Sequence, residues 1–160
     1  MAYHDELLAQ AEKLLQGDEK DLTQADLRRA VSTAYYAMFH LLIDETTLNW
    51  NRDSSRHTLG RMFEHGLMRR VSQRLVDTRA FAFPGADPVV LQKLKDVAKA
   101  FVNLQDSRHL ADYHNGVIWN HIESLDEVSA AKDAFAIWAT IRHEDIAQDY
   151  LVSLLIKPRD

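Results

Sequence analysis

The sequence predicts an all-α domain, chiefly because residues that break helices are scarce. The 160 residues include 5 glycines and 3 prolines, about 5% of the chain where an average protein has roughly 12%. Neither residue type occurs between Gly17 and Gly60, between Pro88 and Gly116, or between Gly116 and Pro158. Such stretches favour helices, and no segment shows the alternating β-branched residues typical of a strand.

Two helices are predicted in the first third of the chain. The first covers about 4–16, with apolar residues at three- and four-residue spacing, and ends at Gly17. The second runs from about Thr23 to Thr46, and Thr23 and Asp26 have the spacing of a capping box with Asp in place of Glu. Its apolar residues cover most of the circumference, which indicates a central helix or one shared with a partner chain.

Three further helices are predicted over about 56–76, 88–112 and 125–154. Gly60 and Gly66 are candidate breaks in the first of these. Asp87-Pro88 supplies an N-cap and an N1 proline for the second, and Ser124-Leu-Asp-Glu127 has the pattern of a capping box for the third. Helices of this length with mostly short connections are typical of an up-and-down bundle of four to five helices.

We expect a single domain over 1–156 and a frayed tail over 157–160, because no repeat, low-complexity tract or linker divides the chain. Phe81 and Phe83 lie in the loop before the fourth predicted helix. Their expected role is to cover one end of the core, and the alternative is that they cover a groove or a dimer seam.

Composition excludes several classes of protein. The chain is 46% hydrophobic and 27% charged, which is typical of globular domains, and it has no cysteine, which excludes disulfide scaffolds, thiol nucleophiles and thiolate metal sites. The first ten residues lack the regions of a secretory signal, and no apolar run reaches the roughly 18 residues that span a membrane. We expect a cytoplasmic protein that does not associate with membranes. Its net charge of −5 argues against indiscriminate binding of polyanions.

Eight histidines raise the question of a bound metal. A di-iron bundle needs an acid-x-x-His pair on each of two helices, and Asp106 and His109 form only one such pair on a long predicted helix. His40 and Asp44 are one turn apart but have no predictable third ligand. The phosphate-binding loop, the dinucleotide fingerprint and the serine elbow are also missing from the sequence. We therefore expect neither a metal nor another cofactor.

The most informative polar residues lie at the end of the fourth predicted helix. Arg108 and Asp112 have the spacing of an ion pair, and the simplest interpretation is a solvated salt bridge with Tyr113 packed beneath it. Arg108 and His114 point about 120° apart on a continuous helix, so they converge only if the helix ends near Asp112 and the chain turns at Gly116. Convergence would let the arginine hold a scissile phosphate and the histidine move a proton, so that RNA is cleaved through its own 2′-hydroxyl without a metal.

The second predicted helix carries the pattern R-x-A-x-x-x-A-Y-Y-A-x-F-H. It is matched by Arg28, Ala30, Ala34, Tyr35, Tyr36, Ala37, Phe39 and His40. With the five residues between Arg108 and His114, and the Arg-x-x-Ala-Asp-Tyr form of 108–113, the chain resembles the HEPN superfamily of small α-helical modules. The resemblance covers essentially the whole chain in the order and length of its helices.

The resemblance implies a bundle that forms a homodimer and sets two Arg…His motifs near each other across the interface. Many such proteins are metal-independent endoribonucleases that act as toxins paired with a nucleotidyltransferase-type antitoxin. Others are catalytically silent dimers that bind a nucleotide or a nucleotidyltransferase partner, and both classes stay open for this chain. The implied roles are Arg108 as phosphate clamp, His114 as general acid and base, and Asp112 as the residue that orients Arg108. His109 stands where the ribonuclease form often has Asn, and Gly116 where one toxin form has Tyr.

Five residues are candidates for RNA binding: His109 and Tyr113 beside the Arg…His pair, and Arg69, Arg70 and Arg74 in an arginine-rich stretch. Residues 52–79 hold seven arginines and three acids, a surplus of four positive charges, whereas 1–51 and 80–160 carry −5 and −4. Such a local ridge predicts salt-sensitive contact with RNA on an acidic protein. The alternative is a solvated helix face with intrahelical acidic partners such as Glu64 and Asp77.

Other aromatic residues receive structural interpretations. Tyr35 and Tyr36 face about 100° apart on a helix, so at least one of them is expected in the core. His40 is expected to be a satisfied histidine near the core or an interface. Trp119 and His121 either stack a base or anchor the loop that carries them, and anchoring is the preferred interpretation.

Overall fold

A computed structural model describes residues 1–77 and 86–157, and every regular element in these ranges is a helix. The α-helices described there are α1 Tyr3–Leu14, α2 Gln24–Thr47, α3 Asp53–Gly60, α4 His65–Asp77, α5 Pro88–Tyr113, α6 His121–Ile141 and α7 Asp145–Ser153. One turn of 3₁₀ helix, Glu19–Asp21, precedes α2. The all-α prediction is confirmed. Phe81, Phe83, Arg79 and most of the predicted tail lie outside the described residues.

The chain forms two compact units. The first comprises Met1–Leu41 and Ala100–Phe135, and the second comprises Leu42–Lys99 and Ala136–Asp160. The boundaries fall inside α2, α5 and α6, which each contribute residues to both units. No linker composition marks these boundaries in the sequence, because each lies in the middle of a helix.

The first unit has its core around α2. Ala30, Ala34 and Ala37 are fully buried at three- and four-residue spacing, and small residues at this spacing let neighbouring elements approach the helix closely. Tyr35 is also fully buried, and its ring centroid lies 5.6 Å from that of Phe101 on α5. The prediction of α2 as a central helix is confirmed, as is the prediction that one of the two tyrosines belongs to the core.

The second unit has a buried polar contact between α4 and α7. Ser72 Oγ donates to the carbonyl of Met68 at 2.7 Å, so its lone pairs accept from the Tyr150 hydroxyl, also at 2.7 Å. Burial raises the pKa of Tyr150 by more than the Ser72 hydrogen bond lowers it. The surrounding side chains are apolar and fully buried, among them Met68, Leu75, Leu151 and Leu154.

Two predicted helix starts are confirmed by their hydrogen bonds. Thr23 N donates to Asp26 Oδ2 at 2.9 Å and Asp26 N donates to Thr23 Oγ1 at 3.2 Å, which closes the capping box of α2. The Asp26 carboxylate accepts from Thr23 N and also from Thr23 Oγ1, and these two bonds hold the pKa of Asp26 below its usual value. At the start of α5, Val89 N donates to Asp87 Oδ1 at 2.7 Å.

The helix predicted over about 56–76 is interrupted between its two candidate breaks, Gly60 and Gly66. The structure has two helices, α3 and α4, with an irregular segment at 61–64 between them. Phe63, in this segment, is buried. One physical reason is that a bend there turns an apolar side chain inward that a continuous helix would direct elsewhere.

The predicted helix over 125–154 is wrong at its start and in its middle. The capping box lies at Asn120 and Glu123, where Glu123 N donates to Asn120 Oδ1 at 2.8 Å and Asn120 N donates to Glu123 Oε2 at 3.3 Å. Ser124 lies inside α6 and donates to the carbonyl of Asn120 at 2.9 Å. The helix then ends at Ile141, and α7 starts at Asp145.

Tertiary contacts hold the break between α6 and α7. Arg142 donates to both carboxylate oxygens of Glu45, with Nε to Oε2 at 3.0 Å and Nη2 to Oε1 at 2.7 Å. The Glu45 side chain is only 9% exposed. Gln148 Nε2 donates to the carbonyl of Arg142 at 2.5 Å, which satisfies a carbonyl that the interrupted helix leaves open.

Within the described ranges, none of the helices combines the length and the apolar character that crossing a lipid bilayer requires.

We expect Arg142→Ala to lower the free energy of unfolding by about 2 kcal/mol, because it leaves the Glu45 carboxylate buried without its partner. The effect falls below that of a fully buried pair since 38% of the Arg142 side chain is exposed. Urea unfolding at neutral pH measures it. Lys132→Ala is the control, because it breaks the solvated pair of Lys132 with Glu12 and should change stability little. Equal effects of the two substitutions would contradict this account.

Candidate functional site

Arg108 on α5 is the centre of a polar cluster with α2. Its Nη2 donates to the Tyr36 hydroxyl at 2.7 Å. Its Nε lies 3.1 Å from Asp112 Oδ2, an ion pair at the predicted spacing whose N–H is not aligned for a hydrogen bond. The side chains of Arg108 and Asp112 are 15% and 25% exposed. The pair is therefore largely shielded, unlike the solvated surface bridge that spacing alone favours.

Three tyrosine rings surround the Arg108 guanidinium. Its Cζ lies 5.6 Å, 5.3 Å and 5.5 Å from the ring centroids of Tyr35, Tyr36 and Tyr113. Distances within about 6 Å give cation–π attraction. The guanidinium is thus fixed in position by rings as well as by the Tyr36 hydroxyl and the Asp112 carboxylate.

Burial lowers the pKa of Arg108, but the hydrogen bond from its guanidinium to Tyr36 and its interactions with Tyr36, Tyr113 and Asp112 raise it by more. The net shift is upward, so the protonated guanidinium is favoured here. Arg108 is a permanent, oriented positive charge.

Asp112 has a second partner on α2. Ser32 Oγ donates to Asp112 Oδ2 at 3.1 Å, and Ser32 is almost completely buried. Ser32 and Tyr36 lie one turn apart on α2, and Arg108 and Asp112 lie one turn apart on α5. The two facing turns are therefore joined by a continuous series of polar contacts. These contacts fix the Asp112 carboxylate that faces Arg108.

His114 follows the end of α5, and the chain turns there as the convergence hypothesis requires. The helix ends at Tyr113, and Val117 N donates to the carbonyl of His114 at 3.2 Å. The imidazole is exposed and lies beside Gly116, since a Cβ on Gly116 would be 3.7 Å from His114 Nδ1.

Arg28 on α2 holds this turn through backbone carbonyls. Its Nη1 donates to Ala111 O at 2.9 Å and to His114 O at 3.3 Å. Its Nη2 donates to Asn115 O at 3.5 Å and also to Val117 O. A cation that donates to the last carbonyls of a helix caps it and favours the dipole. Arg28 therefore sets the position of the backbone that carries His114.

The structure brings Arg108, Asp112 and Tyr113 together and leaves His114 apart from them. No hydrogen bond or ion pair joins Arg108 to His114 in the part of the chain that is described. His109 is exposed, and its ring centroid lies 5.1 Å from that of Tyr113. The exposed imidazoles and the Tyr113 ring form the outer face of the cluster.

The other RNA-binding candidates, Arg69, Arg70 and Arg74, lie on α4 in the second unit. Arg70 and Arg74 are exposed and Arg69 is half-buried. Of the acids expected to pair with them, Glu64 forms an ion pair with Lys157 at 3.0 Å. Asp77 accepts a hydrogen bond from Gln73 at 2.7 Å.

Trp119 and His121 anchor their loop, as preferred on sequence grounds. Trp119 is buried, and its backbone makes both hydrogen bonds to one side chain. Its carbonyl accepts from Gln24 Nε2 at 2.6 Å, and its backbone N–H donates to Gln24 Oε1 at 3.0 Å. His121 Nε2 lies 3.1 Å from the carbonyl of Leu15. Neither residue offers a free ring for base stacking.

His40 packs against aromatic rings at the edge of the core. Its ring centroid lies 4.8 Å from that of Tyr3 and 5.4 Å from that of Phe39. Among the described residues, no group of three or more His, Asp or Glu side chains is placed to hold a metal ion.

A pocket of about 320 Å³ lies near the end of α5, and its acidic wall includes Glu127. Ser107 Oγ donates to Glu127 Oε1 at 2.8 Å. Burial raises the pKa of Glu127, the Ser107 hydrogen bond lowers it, and the neighbouring Asp126 raises it, with a net upward shift.

Comparison with protein-family models, with curated proteins and with solved structures finds no match for this chain.

Sequence reasoning named Arg28 only as part of a pattern, named Tyr36 in that pattern and as a core candidate, and did not single out Ser32. All three are polar residues on a helix that is otherwise mostly apolar, spaced by four residues. That spacing puts them on one face, and it is the signal that could have identified them. Their partners on α5 could not be inferred, because helix spacing does not say which helices meet.

Arg28→Ala should lower the free energy of unfolding by about 1–2 kcal/mol, because it removes the donors that cap the end of α5. Hydrogen exchange at amides 114–119 should accelerate more than exchange elsewhere. Arg29→Ala is the matched control, since Arg29 is the exposed neighbour with the same charge. Unchanged hydrogen exchange at these amides in the Arg28 variant would refute the conclusion that Arg28 holds this turn.

Glu127→Gln should stabilise the protein more at pH 7 than at pH 4. A raised pKa means that the folded state holds the proton more tightly, so the wild type loses stability as pH rises from the unfolded value through the folded one. Glutamine mimics the protonated form, keeps an acceptor for Ser107 and removes this loss. Thermal unfolding at both pH values measures the difference, with Asp133→Asn on the same helix as control. A gain in stability confined to pH 4 would mean that folding lowers the pKa of Glu127 instead of raising it.

Proposed function

We propose that this protein is a HEPN-type, metal-independent endoribonuclease of the cytoplasm, with the four- or five-helix core of that superfamily. In this proposal it serves as the toxin of a toxin–antitoxin pair. The observation that carries the proposal is the fixed, charged guanidinium of Arg108 less than two turns from the helix end that His114 follows. Arg28 holds that end through four carbonyls.

Arg108 is suited to bind a scissile phosphate. Tyr36 and Asp112 occupy its Nη2 and Nε sides, and its Nη1 makes no hydrogen bond to the described residues. Phosphate oxygens would accept from the two N–H groups of Nη1. Since the guanidinium is already oriented, little conformational entropy is lost when the phosphate binds.

His114 supplies the proton transfers. As general base its imidazole takes the proton of the 2′-hydroxyl while the 2′-oxygen attacks phosphorus. The bond from phosphorus to the 5′-oxygen then breaks, and an imidazolium donates a proton to that leaving oxygen. The products are a 2′,3′-cyclic phosphate and a free 5′-hydroxyl, and such acid–base catalysis contributes about 10²–10⁴-fold.

A homodimer would bring two copies of the motif together, so that base and acid are different histidines. Exposed apolar side chains at the end of α5, in the following loop and on α6 support an interface there. They are Leu110, Tyr113, Ile118, Ile122 and Leu125. A nucleotidyltransferase-type antitoxin is the proposed second partner.

The RNA contacts proposed outside the reacting atoms come from two groups. His109 and Tyr113 form an exposed aromatic pair beside Arg108 that would stack against a nucleotide. Arg69, Arg70 and Arg74 would contact phosphates through the locally positive α4.

One observation favours the second candidate function, a catalytically silent dimer that binds a nucleotide or a nucleotidyltransferase partner. Among the described residues no hydrogen bond or ion pair joins Arg108 to His114, and Arg108 is engaged by Tyr36 and Asp112. An arginine used only to hold the helices together would have the same partners.

Arg108→Ala and His114→Ala should each lower RNA cleavage at least about 100-fold with the fold retained, because each removes a group that acts on the reacting phosphate. Cleavage by the wild type should persist in EDTA and leave 2′,3′-cyclic ends. Arg29→Ala is the charge-matched control and should be fully active.

Tyr36→Phe tests the positioning of Arg108 separately, and it should lower kcat about tenfold with little change in KM. Purified wild type that leaves RNA intact, together with a light-scattering mass near twice the 18.4 kDa chain, would instead establish the silent dimer. A mass of one chain at micromolar concentration would refute the shared site.

A further inference from the structure

A cavity of about 450 Å³ lies in the second unit, where the chain leaves α2 and enters α3. Its size falls within the roughly 300–1,000 Å³ of typical ligand sites. One aromatic ring, one arginine, three hydroxyls and two apolar side chains surround it. The members used below are Trp50, Arg52, Ser54, Ser55, Thr58 and Met62.

Trp50 is 55% exposed although its backbone is firmly held. Its N–H donates to the carbonyl of Thr47 at 2.9 Å, and its carbonyl accepts from Arg56 Nε at 2.5 Å. Arg56 is itself held by Asp53, at 3.0 Å from Nη1 to Oδ1. A large aromatic ring is therefore presented to solvent by an ordered turn at the edge of the cavity.

The polar wall of the cavity suits a phosphate. Arg52 is exposed and occupies the N-cap position of α3, where no side chain caps the helix. Ser54 and Ser55 place two hydroxyls in the first turn of the same helix. An arginine, hydroxyls and a helix N-terminus are all donors to phosphate oxygens. Thr58 is less available, since its hydroxyl donates to the carbonyl of Ser54 at 3.4 Å.

We propose that this cavity binds one nucleotide of single-stranded RNA. The base stacks on Trp50 with Met62 on the apolar side, and the adjoining phosphate accepts from Arg52 and the serine hydroxyls. Aromatic stacking tolerates any base, so the site fixes the strand with little preference for sequence.

Local charge favours RNA over an apolar segment of a partner protein. The described residues 52–77 carry six arginines against three acids, on a chain whose net charge is −5. Arg52 and three hydroxyl side chains line the cavity, and an apolar helix would bury these groups without partners.

The inference rests on the proposed function for its substrate class, RNA. It adds a nucleotide site that the Arg108 cluster does not include, and the two are tested by different measurements. Cleavage reports on Arg108 and His114, and binding of an uncleavable strand reports on this cavity.

The probe is a fluorescein-labelled 2′-O-methyl oligoribonucleotide, which lacks the hydroxyl needed for cleavage. Anisotropy at moderate salt should show binding about tenfold weaker for Trp50→Ala and for Arg52→Ala. Trp50→Phe keeps a ring and should bind with intermediate affinity. The controls are Leu48→Ala, an exposed apolar neighbour, and Arg29→Ala, an exposed arginine outside both the cavity and residues 52–77. They should bind within about twofold of the wild type.

Intrinsic fluorescence gives a second readout, because Trp119 and Trp138 are buried and Trp50 is exposed. Adenosine monophosphate should quench Trp50 emission, and inorganic phosphate at the same concentration should not. Equal quenching by phosphate would overturn the stacking assignment.

Oligonucleotide binding that is the same in the cavity variants and the controls would overturn the proposal. So would Trp50-dependent binding of an apolar amphipathic peptide without oligonucleotide binding, which would assign the cavity to a protein partner. If the wild type binds the strand through Trp50 and Arg52 but leaves cleavable RNA intact, the proposed catalytic function fails and this site stands.

Discussion

The burial of α2 forces the polar side chains on that helix to find partners inside the protein. Arg28, Ser32 and Tyr36 lie one turn apart on one face and all find partners at the end of α5: backbone carbonyls, the Asp112 carboxylate and the Arg108 guanidinium. The candidate site and the packing of these two helices are therefore the same set of contacts. Weakening one of them affects both.

Arg108 shows how one arrangement serves stability and chemistry together. An arginine side chain that is only 15% exposed destabilises the folded protein unless its charge has partners. Tyr36, Asp112 and three aromatic rings are those partners, and they offset most of this cost. The same partners remove the freedom that a surface arginine has. In the proposed function a phosphate would meet a charge whose direction is already determined, and the Nη1 N–H groups are the donors that face no described partner.

Local features of the fold were predictable from sequence, and long-range ones were not. The capping box at Thr23 and the Arg108–Asp112 spacing each depend on residues within one turn. The break between α6 and α7 has no glycine or proline, since it depends on the pairing of Arg142 with Glu45, 97 residues away. The capping box of α6 lies at Asn120 and Glu123 and not at the predicted Ser124 and Glu127, although both pairs have the same three-residue spacing. The place of Tyr36 in the site could not be predicted from local sequence either, because its partner Arg108 is 72 residues away.

Arg28 is far in sequence from the turn that it holds, and this separation has a consequence for synthesis on the ribosome. Arg28 is translated 83 residues before Ala111, an interval of roughly 4–17 s at 5–20 residues per second. During this interval α2 has no α5 against which to bury its apolar surface, so the nascent chain is exposed to aggregation. Arg28 therefore cannot hold the turn that carries His114 until residues 111–117 have been synthesised.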